Sequence, residues 1–420
     1  MHVLIIPSEE FLPKQSHLAG IFQKHQALSL KKAGCDVGII SISLKYSIWM
    51  ILKNIALKIL NKCTVSELKN LTISKQVALL YNKCFNIEKF ITKEQIDGLT
   101  VYRIEGFYYL PPSKHSNHYG WLKGGEKLLD YYCLENGIPD IIHAHNSVYA
   151  GILANRISEK YKIPYVITEH SSFIARNLES KYLKSQIVKS YLNASKLFVV
   201  SDFLGNCINH YFGKKIKWYV LPNVLDPDVE NSEKVKKIIN DETFTFISIG
   251  SLIPIKRHKD IIKAFQKCFS VTDNIQLMIA GDGELQEELS EYIHESEIGG
   301  KIKLLGRLDR DHIIELIENA QCLVLSSEIE TFGVVIIEAL SKGKPVIASS
   351  CGGPQSIINN TNGILYKVGD IDALCNSLSR MYHFYKNFDA EKIQKDTLLR
   401  YGQDVFSKKL IHEYEQLIHE

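Results

Sequence analysis

Short apolar runs alternate with helical stretches along the whole chain. The runs are Val3–Ile6, Val37–Ile42, Asp140–His143, Tyr165–Thr168 and Leu197–Ser201 in the first half. In the second they are Phe244–Gly250, Gln276–Ala280, Ile302–Leu305, Cys322–Ser326 and Pro345–Ser349. Continuous apolar strands separated by amphipathic helices predict parallel sheets covered on both faces. The rhythm occurs twice, on either side of a polar stretch, Leu225–Glu242, that reads as a linker. The expected architecture is α/β, with two doubly wound domains facing each other across a cleft. Ligands of such sheets bind beyond the carboxyl ends of the strands, so functional residues should lie in loops just after strands.

Residues 45–100 break the rhythm with helical-looking segments before Gly98–Tyr102 resumes strand character, and read as an insertion in the first domain. Phe406, Leu410, Ile411, Tyr414 and Leu417 fall at helical spacing and predict a closing helix. The expected division is 1–224 (insertion about 45–100), 225–400, and a closing helix 401–420 able to pack back on the first domain.

Composition narrows the class. With 420 residues, 45% hydrophobic and 23% charged, the chain is an ordinary globular protein of two cores. A formal net charge of +3 gives no support to nucleic acid as a partner. The nine cysteines are odd in number, scattered and without a Cys-x-x-Cys pair, which fits a reducing, cytoplasmic setting. MHVLIIPSEEF reads as a first strand, not a signal peptide. No run reaches the roughly 20 apolar residues of a membrane span. Tyr46–Leu60, rich in Ile, Leu, Trp and Lys, has the makings of an interfacial amphipathic helix, and nine Lys against three Glu lie between 45 and 95. Two readings stand: a solvated surface helix, or association with the inner face of the plasma membrane through 45–95.

The most informative segment is Ser326–Ala339, SSEIETFGVVIIEA, which links an apolar strand to an apolar helix. Thr331-Phe332-Gly333 opens that helix, where backbone N–H groups are available to an anion. Glu330 suits the positive end of a helix dipole. Glu338, flanked by Val334, Val335, Ile336, Ile337, Ala339 and Leu340, is costly unless it has a partner or a ligand hydroxyl to accept from.

This segment resembles the glutamate-x7-glutamate signature of the glycosyltransferase group 1 family, retaining enzymes with the GT-B fold of two Rossmann-like domains. Other segments resemble the same family in the same order: Ile249–Lys256, Ala280–Glu284, Leu304–Gly306, Lys344–Ser349, Gly352-Gly353-Pro354 and Asn362–Leu365. The first half resembles it more loosely, at Gly20, Asp140–His145, Thr168-Glu169-His170 and Val220–Val224. The resemblance implies that Glu330 touches the transferred sugar and Glu338 the ribose of a nucleotide. It implies that Phe332, Gly333 and Val334 present backbone amides to the sugar and diphosphate. Lys256 would neutralise the departing diphosphate, Gly20 would let a first-domain loop approach the donor, and His170 would hydrogen-bond the sugar. His145 is placed on the acceptor side.

Two departures stand out. The family's arginine after the first glycine is Ser251 here, and Arg257, where the family often has glycine, is the available substitute. Gln355 and Ser356 follow the glycine loop in place of a frequent glutamate. His143-x-His145 and Asp226-Pro227-Asp228 are weak metal candidates; site contacts or packing for the first and Asp caps in a turn for the second are the expected roles, and no metal or cofactor is expected. Gly281-x-Gly283 lacks the third glycine of a dinucleotide motif. Phe107-Tyr108-Tyr109 and Trp121 could stack an acceptor sugar or pack in the core.

The function expected is that of a retaining, metal-independent transferase. It would move a sugar from a UDP- or GDP-linked donor to a glycan or lipid-linked acceptor, in bacterial capsule, O-antigen or exopolysaccharide synthesis. The rivals are a catalytically weak nucleotide-sugar or glycan-binding protein, and a nucleotide-sugar epimerase or phosphorylase on the same fold.

Overall fold

The computed structural model describes residues 1–13, 20–60, 70–85, 90–108, 114–170, 181–232 and 243–419. Two compact units are present. One comprises Met1–Val199, Cys207–Tyr219 and Ser407–Glu420, the other Val200–Asn206 and Val220–Phe406.

The first unit is built on β1 (His2–Pro7), β2 (Asp36–Ser47), β3 (Ile91–Ile96), β4 (Leu99–Tyr108), β5 (Ile141–His145), β6 (Tyr165–Glu169), β7 (Lys196–Val199) and β8 (Tyr219–Val220). The sheet runs β3-β4-β2-β1-β5-β6-β7-β8. Strand β1 pairs in parallel with both β2 and β5, with Val3 opposite Val37 and Ile141. Its middle residues Val3–Ile6 are fully buried, as a strand covered on both faces requires.

Within the stretch read as an insertion the structure differs from expectation at both ends. β2 continues to Ser47, and β3 is an edge strand antiparallel to β4. Between them the helices Ile48–Ile59 and Ile73–Phe85 form a pair with its own small core: Ile51 is fully buried against Ile48, Ile55, Leu71, Leu79 and Leu80. A hydrogen bond of 3.1 Å from Asn54 to Gln76 ties the two helices inside that core.

The second unit is built on β9 (Phe244–Ile249), β10 (Ile275–Ala280), β11 (Ile302–Gly306), β12 (Cys322–Leu325), β13 (Val346–Ser349) and β14 (Gly363–Tyr366). Their order is β11-β10-β9-β12-β13-β14, with every pairing parallel. The order reverses between β9 and β12, so the loops after these two strands part and leave a crevice at the switch point. Phe246, Leu277 and Val324 from the sheet pack with Phe265, Leu374 and Met381 from the helices.

The polar stretch 225–242 is only partly a linker. Leu225 is buried and donates its N–H to Tyr401 O, and Asp226 caps the short helix Pro227–Asn231. Residues 233–242 lie outside the described residues. The closing helix spans Gln403–Ile418, with Leu410 and Tyr414 fully buried.

Candidate active site

The loops after β9 and β12 bring two charged side chains together. After β9 the chain passes Ser251 and enters a single turn, Pro254–Lys256. After β12 it runs to Glu330, and Lys256 Nζ lies 2.6 Å from Glu330 Oε2. Both loops are pinned by their own backbones. Ser326 Oγ donates to Lys256 O and Arg257 O, at 2.8 and 2.9 Å, and Glu328 N–H donates to Ile255 O. The loop after β13 closes the other side, where Glu330 N–H donates to Cys351 O and Gly353 N–H to Glu330 O. Gln355, which follows the glycine loop, accepts from Gly352 N–H and so braces this loop.

Phe332, Gly333 and Val334 carry the chain into the helix Val334–Ser341. Phe332 is buried, with its ring against Tyr401 and its main chain close against Gly353. Gly333 has φ 98°, a left-handed conformation that side chains resist, and its position as N-cap offers no side-chain acceptor. The first-turn N–H groups of this helix therefore have no side-chain cap, the arrangement that receives an anion.

Arg257 takes φ 52°, which is why glycine suits this position. Its guanidinium is engaged by Asp260 at 2.6 Å. Ser251 is exposed on the same stretch. Beneath it His258 is buried, its Nδ1 3.3 Å from Ser248 Oγ, and burial lowers its pKa to about 4.

Glu338 has a protein partner that the sequence did not reveal. Arg310 Nη2 lies 2.6 Å from Glu338 Oε1 and 2.7 Å from Asp226 Oδ2. Burial raises the pKa of Glu338, while Arg310 opposes the rise. Burial also works against the charge on Arg310, but Glu338 and Asp226 outweigh it and the guanidinium stays cationic. The expectation that a ribose would be the partner of Glu338 is thus modified: one oxygen is already held by Arg310. Asp226 accepts from Asp228 N–H at 2.8 Å as an N-cap, so each of its oxygens is in use.

The histidines lie in the first unit, at the ends of β5 and β6. His145 stacks on His143 at 4.6 Å and on His170 at 5.1 Å, and Phe22 stacks on His170 at 5.9 Å. His143 Nδ1 meets Gln26 Nε2 at 2.8 Å and the Tyr414 hydroxyl, and its Nε2 lies 2.6 Å from Thr168 Oγ1. His145 Nδ1 lies 2.9 Å from His170 Nε2. Burial lowers the pKa of His143 to about 3 and that of His145 well below its ordinary value, so both are neutral at pH 7. Glu169, another residue whose role was not foreseen, accepts from Ser147 N–H and the Tyr191 hydroxyl and fixes the turn after β5. Gly20 caps the helix Ile21–Lys32 with φ 83°, and a Cβ there would lie 2.9 Å from Leu12 N.

Among the described residues, no group of three or more His, Cys, Asp or Glu is placed to hold a metal ion. Trp121 is buried and stacks on Tyr149 at 5.4 Å, a packing role. Tyr109 lies outside the described residues, as do the side chains of Phe107 and Tyr108.

Comparison with known proteins decides the family. Residues 229–391 match the family of glycosyl transferases group 1, and residues 79–229 match glycosyltransferase family 4. The chain belongs to the group 1 glycosyltransferases. An uncharacterised glycosyltransferase of Methanocaldococcus jannaschii is 26% identical over 344 residues, 77% of this chain and 86% of that protein. The UDP-Gal:alpha-D-GlcNAc-diphosphoundecaprenol alpha-1,3-galactosyltransferase of Escherichia coli is 27% identical over 267 residues, 60% of this chain and 68% of that one. Among solved structures, sucrose-phosphate synthase from Thermosynechococcus elongatus superposes with a TM-score of 0.69 at 16% identity, covering 100% of both chains. Anabaena HepE in complex with UDP gives 0.67 at 17% identity, covering 99% of this chain and 100% of that one. The fold of this group 1 glycosyltransferase is GT-B, and the chain is an enzyme of the glycosyltransferase class.

Proposed function

We propose that this glycosyltransferase moves a sugar from a UDP- or GDP-linked donor, with retention and without a metal, to a glycan or lipid-linked acceptor of a bacterial surface polysaccharide. The observation that carries this reading is the Lys256–Glu330 pair at the switch point between β9 and β12, beside a helix that begins without a side-chain cap. A departing nucleoside diphosphate gains negative charge, and a fixed cation with oriented amides stabilises that charge as it develops. Lys256 and the amides of Phe332, Gly333 and Val334 serve the diphosphate. Glu330 serves the sugar, and Glu338, paired with Arg310, serves the ribose. In the first unit His170 and Gly20 serve the sugar side and His145 the acceptor side. Structural relatives solved with UDP, and a relative named for a diphosphoundecaprenol acceptor, support this choice of substrates.

One observation favours the binding-protein alternative: Ser251 brings no charge, and Arg257 is turned to Asp260. The test is acceptor-dependent release of nucleoside diphosphate from a panel of nucleotide-sugars, with EDTA present. The expected result is release from one donor, abolished by Lys256→Ala and Glu338→Ala. Donor binding without turnover across the acceptor panel would overturn the transferase reading in favour of the alternative. Loss of activity in EDTA would overturn the metal-independent mechanism.

A further inference from the structure

Exposed apolar side chains are concentrated in one part of the first unit. Seven of the seventeen large hydrophobic residues exposed among the described residues fall between 49 and 81. The helix Ile48–Ile59 carries one broad apolar arc, of which only part is covered. One row, Ile48, Ile51 and Ile55, fills the small core shared with the helix Ile73–Phe85. The neighbouring, outward part of the arc leaves Trp49 at 59% exposure, Leu52 at 47% and Ile59 at 65%, and Leu60 just beyond the helix is 63% exposed. These positions recur at intervals of three and seven residues and form one helical face. Lys53 and Ala56 lie on the same face and are exposed as well. The second helix repeats the pattern, with Ile73, Val77 and Tyr81 exposed at intervals of four. The core between the two helices is filled by their inner rows, so the outer rows contribute nothing to it.

Charge selects the occupant. From 48 to 85 the sequence has six lysines and one glutamate, and the described stretches 48–60 and 70–82 contain no acidic residue. Lys53 and Lys75 are exposed beside the apolar rows. An outward face of Trp, Leu and Ile edged by lysine matches a bilayer interface bearing anionic headgroups: the apolar side chains enter the acyl boundary, and the lysines remain with the phosphates. A protein partner of ordinary composition would not demand this one-sided charge.

We infer that the outer face of the helix pair Ile48–Ile59 and Ile73–Phe85 docks this glycosyltransferase onto an anionic lipid bilayer. The inference deepens the lipid-linked acceptor reading, because it holds the enzyme at the surface where such an acceptor resides. Its test needs neither sugar donor nor acceptor, so failure of the transferase reading and failure of the docking surface are separately visible.

The experiment is vesicle flotation of the full chain. One set of vesicles is phosphatidylcholine alone and the other carries about one third phosphatidylglycerol. Flotation with the anionic vesicles is expected, weakened about fivefold on phosphatidylcholine alone. The pair Leu52→Glu and Ile59→Glu should lower partitioning at least about tenfold. The pair Lys53→Glu and Lys75→Glu should lower it on anionic vesicles only. Circular dichroism and the thermal midpoint verify that each variant folds. Absence of flotation on both vesicle types, or flotation unchanged in a folded Leu52→Glu/Ile59→Glu variant, would overturn the inference. A dimer of the native chain that this variant dissociates, without any lipid binding, would assign the face to a second copy instead.

Discussion

Lys256 Nζ and Glu330 Oε2, from the loops after β9 and β12, stand 2.6 Å apart. The diphosphate of a donor must compete with Glu330 for that cation. Glu330→Gln should therefore bind free nucleoside diphosphate more tightly, by about three- to tenfold, while losing turnover, because a neutral amide no longer holds the ammonium. Lys256→Ala should weaken the same binding by about tenfold or more. Titration calorimetry with UDP and GDP reads both. Unchanged affinity in Glu330→Gln would show that the pair does not oppose donor binding.

Arg310 bridges Asp226 and Glu338 through one nitrogen. Removing it leaves Glu338 as a buried, uncompensated carboxylate, which costs about 3 kcal/mol. Arg310→Ala should lower the melting midpoint by about 6–12 °C. The double variant Arg310→Ala/Glu338→Ala should recover part of that loss, because the stranded charge is gone. Thermal melts of the two single variants and the double variant form the necessary cycle. Strict additivity would mean that the contact carries no stability.

His143 is buried as a neutral ring with a pKa of about 3, against about 6.5 when unfolded. Between these values the unfolded chain binds a proton that the folded chain refuses, so stability rises with pH. The contribution is fully present above about pH 6.5 and falls as the medium is acidified toward pH 3. Lowering the pH from 7.5 to about 5.5 should cost on the order of 1 kcal/mol from this one residue. Urea unfolding of the native chain and of His143→Gln at several pH values should give a shallower dependence for the variant. Parallel curves would exclude His143 as a source.

Ser251 offers a gain-of-function test. Its exposed position follows β9 on the same stretch as Lys256. Ser251→Arg should raise affinity for nucleoside diphosphate by about tenfold, the value of one charge-assisted hydrogen bond. Calorimetry reads this directly. No gain would mean that the diphosphate is held away from this turn.

Much of the fold was written locally. Apolar runs such as Val3–Ile6 and Cys322–Leu325 are short, continuous and set between amphipathic helices, the pattern of strands buried on both faces. β3 was missed because ITKEQI is a polar edge strand whose burial alternates weakly. At the site, Glu330, Gly333 and Glu338 were legible as a motif, because strand, loop and helix are contiguous there. Arg310 was not, since a guanidinium in the helix Arg310–Asn319 reaches Asp226 and Glu338 only through tertiary folding. Asp226 was misplaced in a linker because Asp-Pro-Asp is polar by composition, while its burial follows from a distant cation.

The closing helix alters how the protein can be divided. Its last part, Ser407–Glu420, belongs with Met1–Val199, and its Tyr414 hydroxyl meets His143. Val200–Asn206 belongs with the opposite half of the chain. Neither unit is one uninterrupted length of polypeptide, so a single cut near residue 225 yields two fragments, each missing a piece of itself. Halves of this enzyme cannot be swapped with those of a relative by one crossover. A productive chimera needs the tail after Phe406 to travel with the amino-terminal partner.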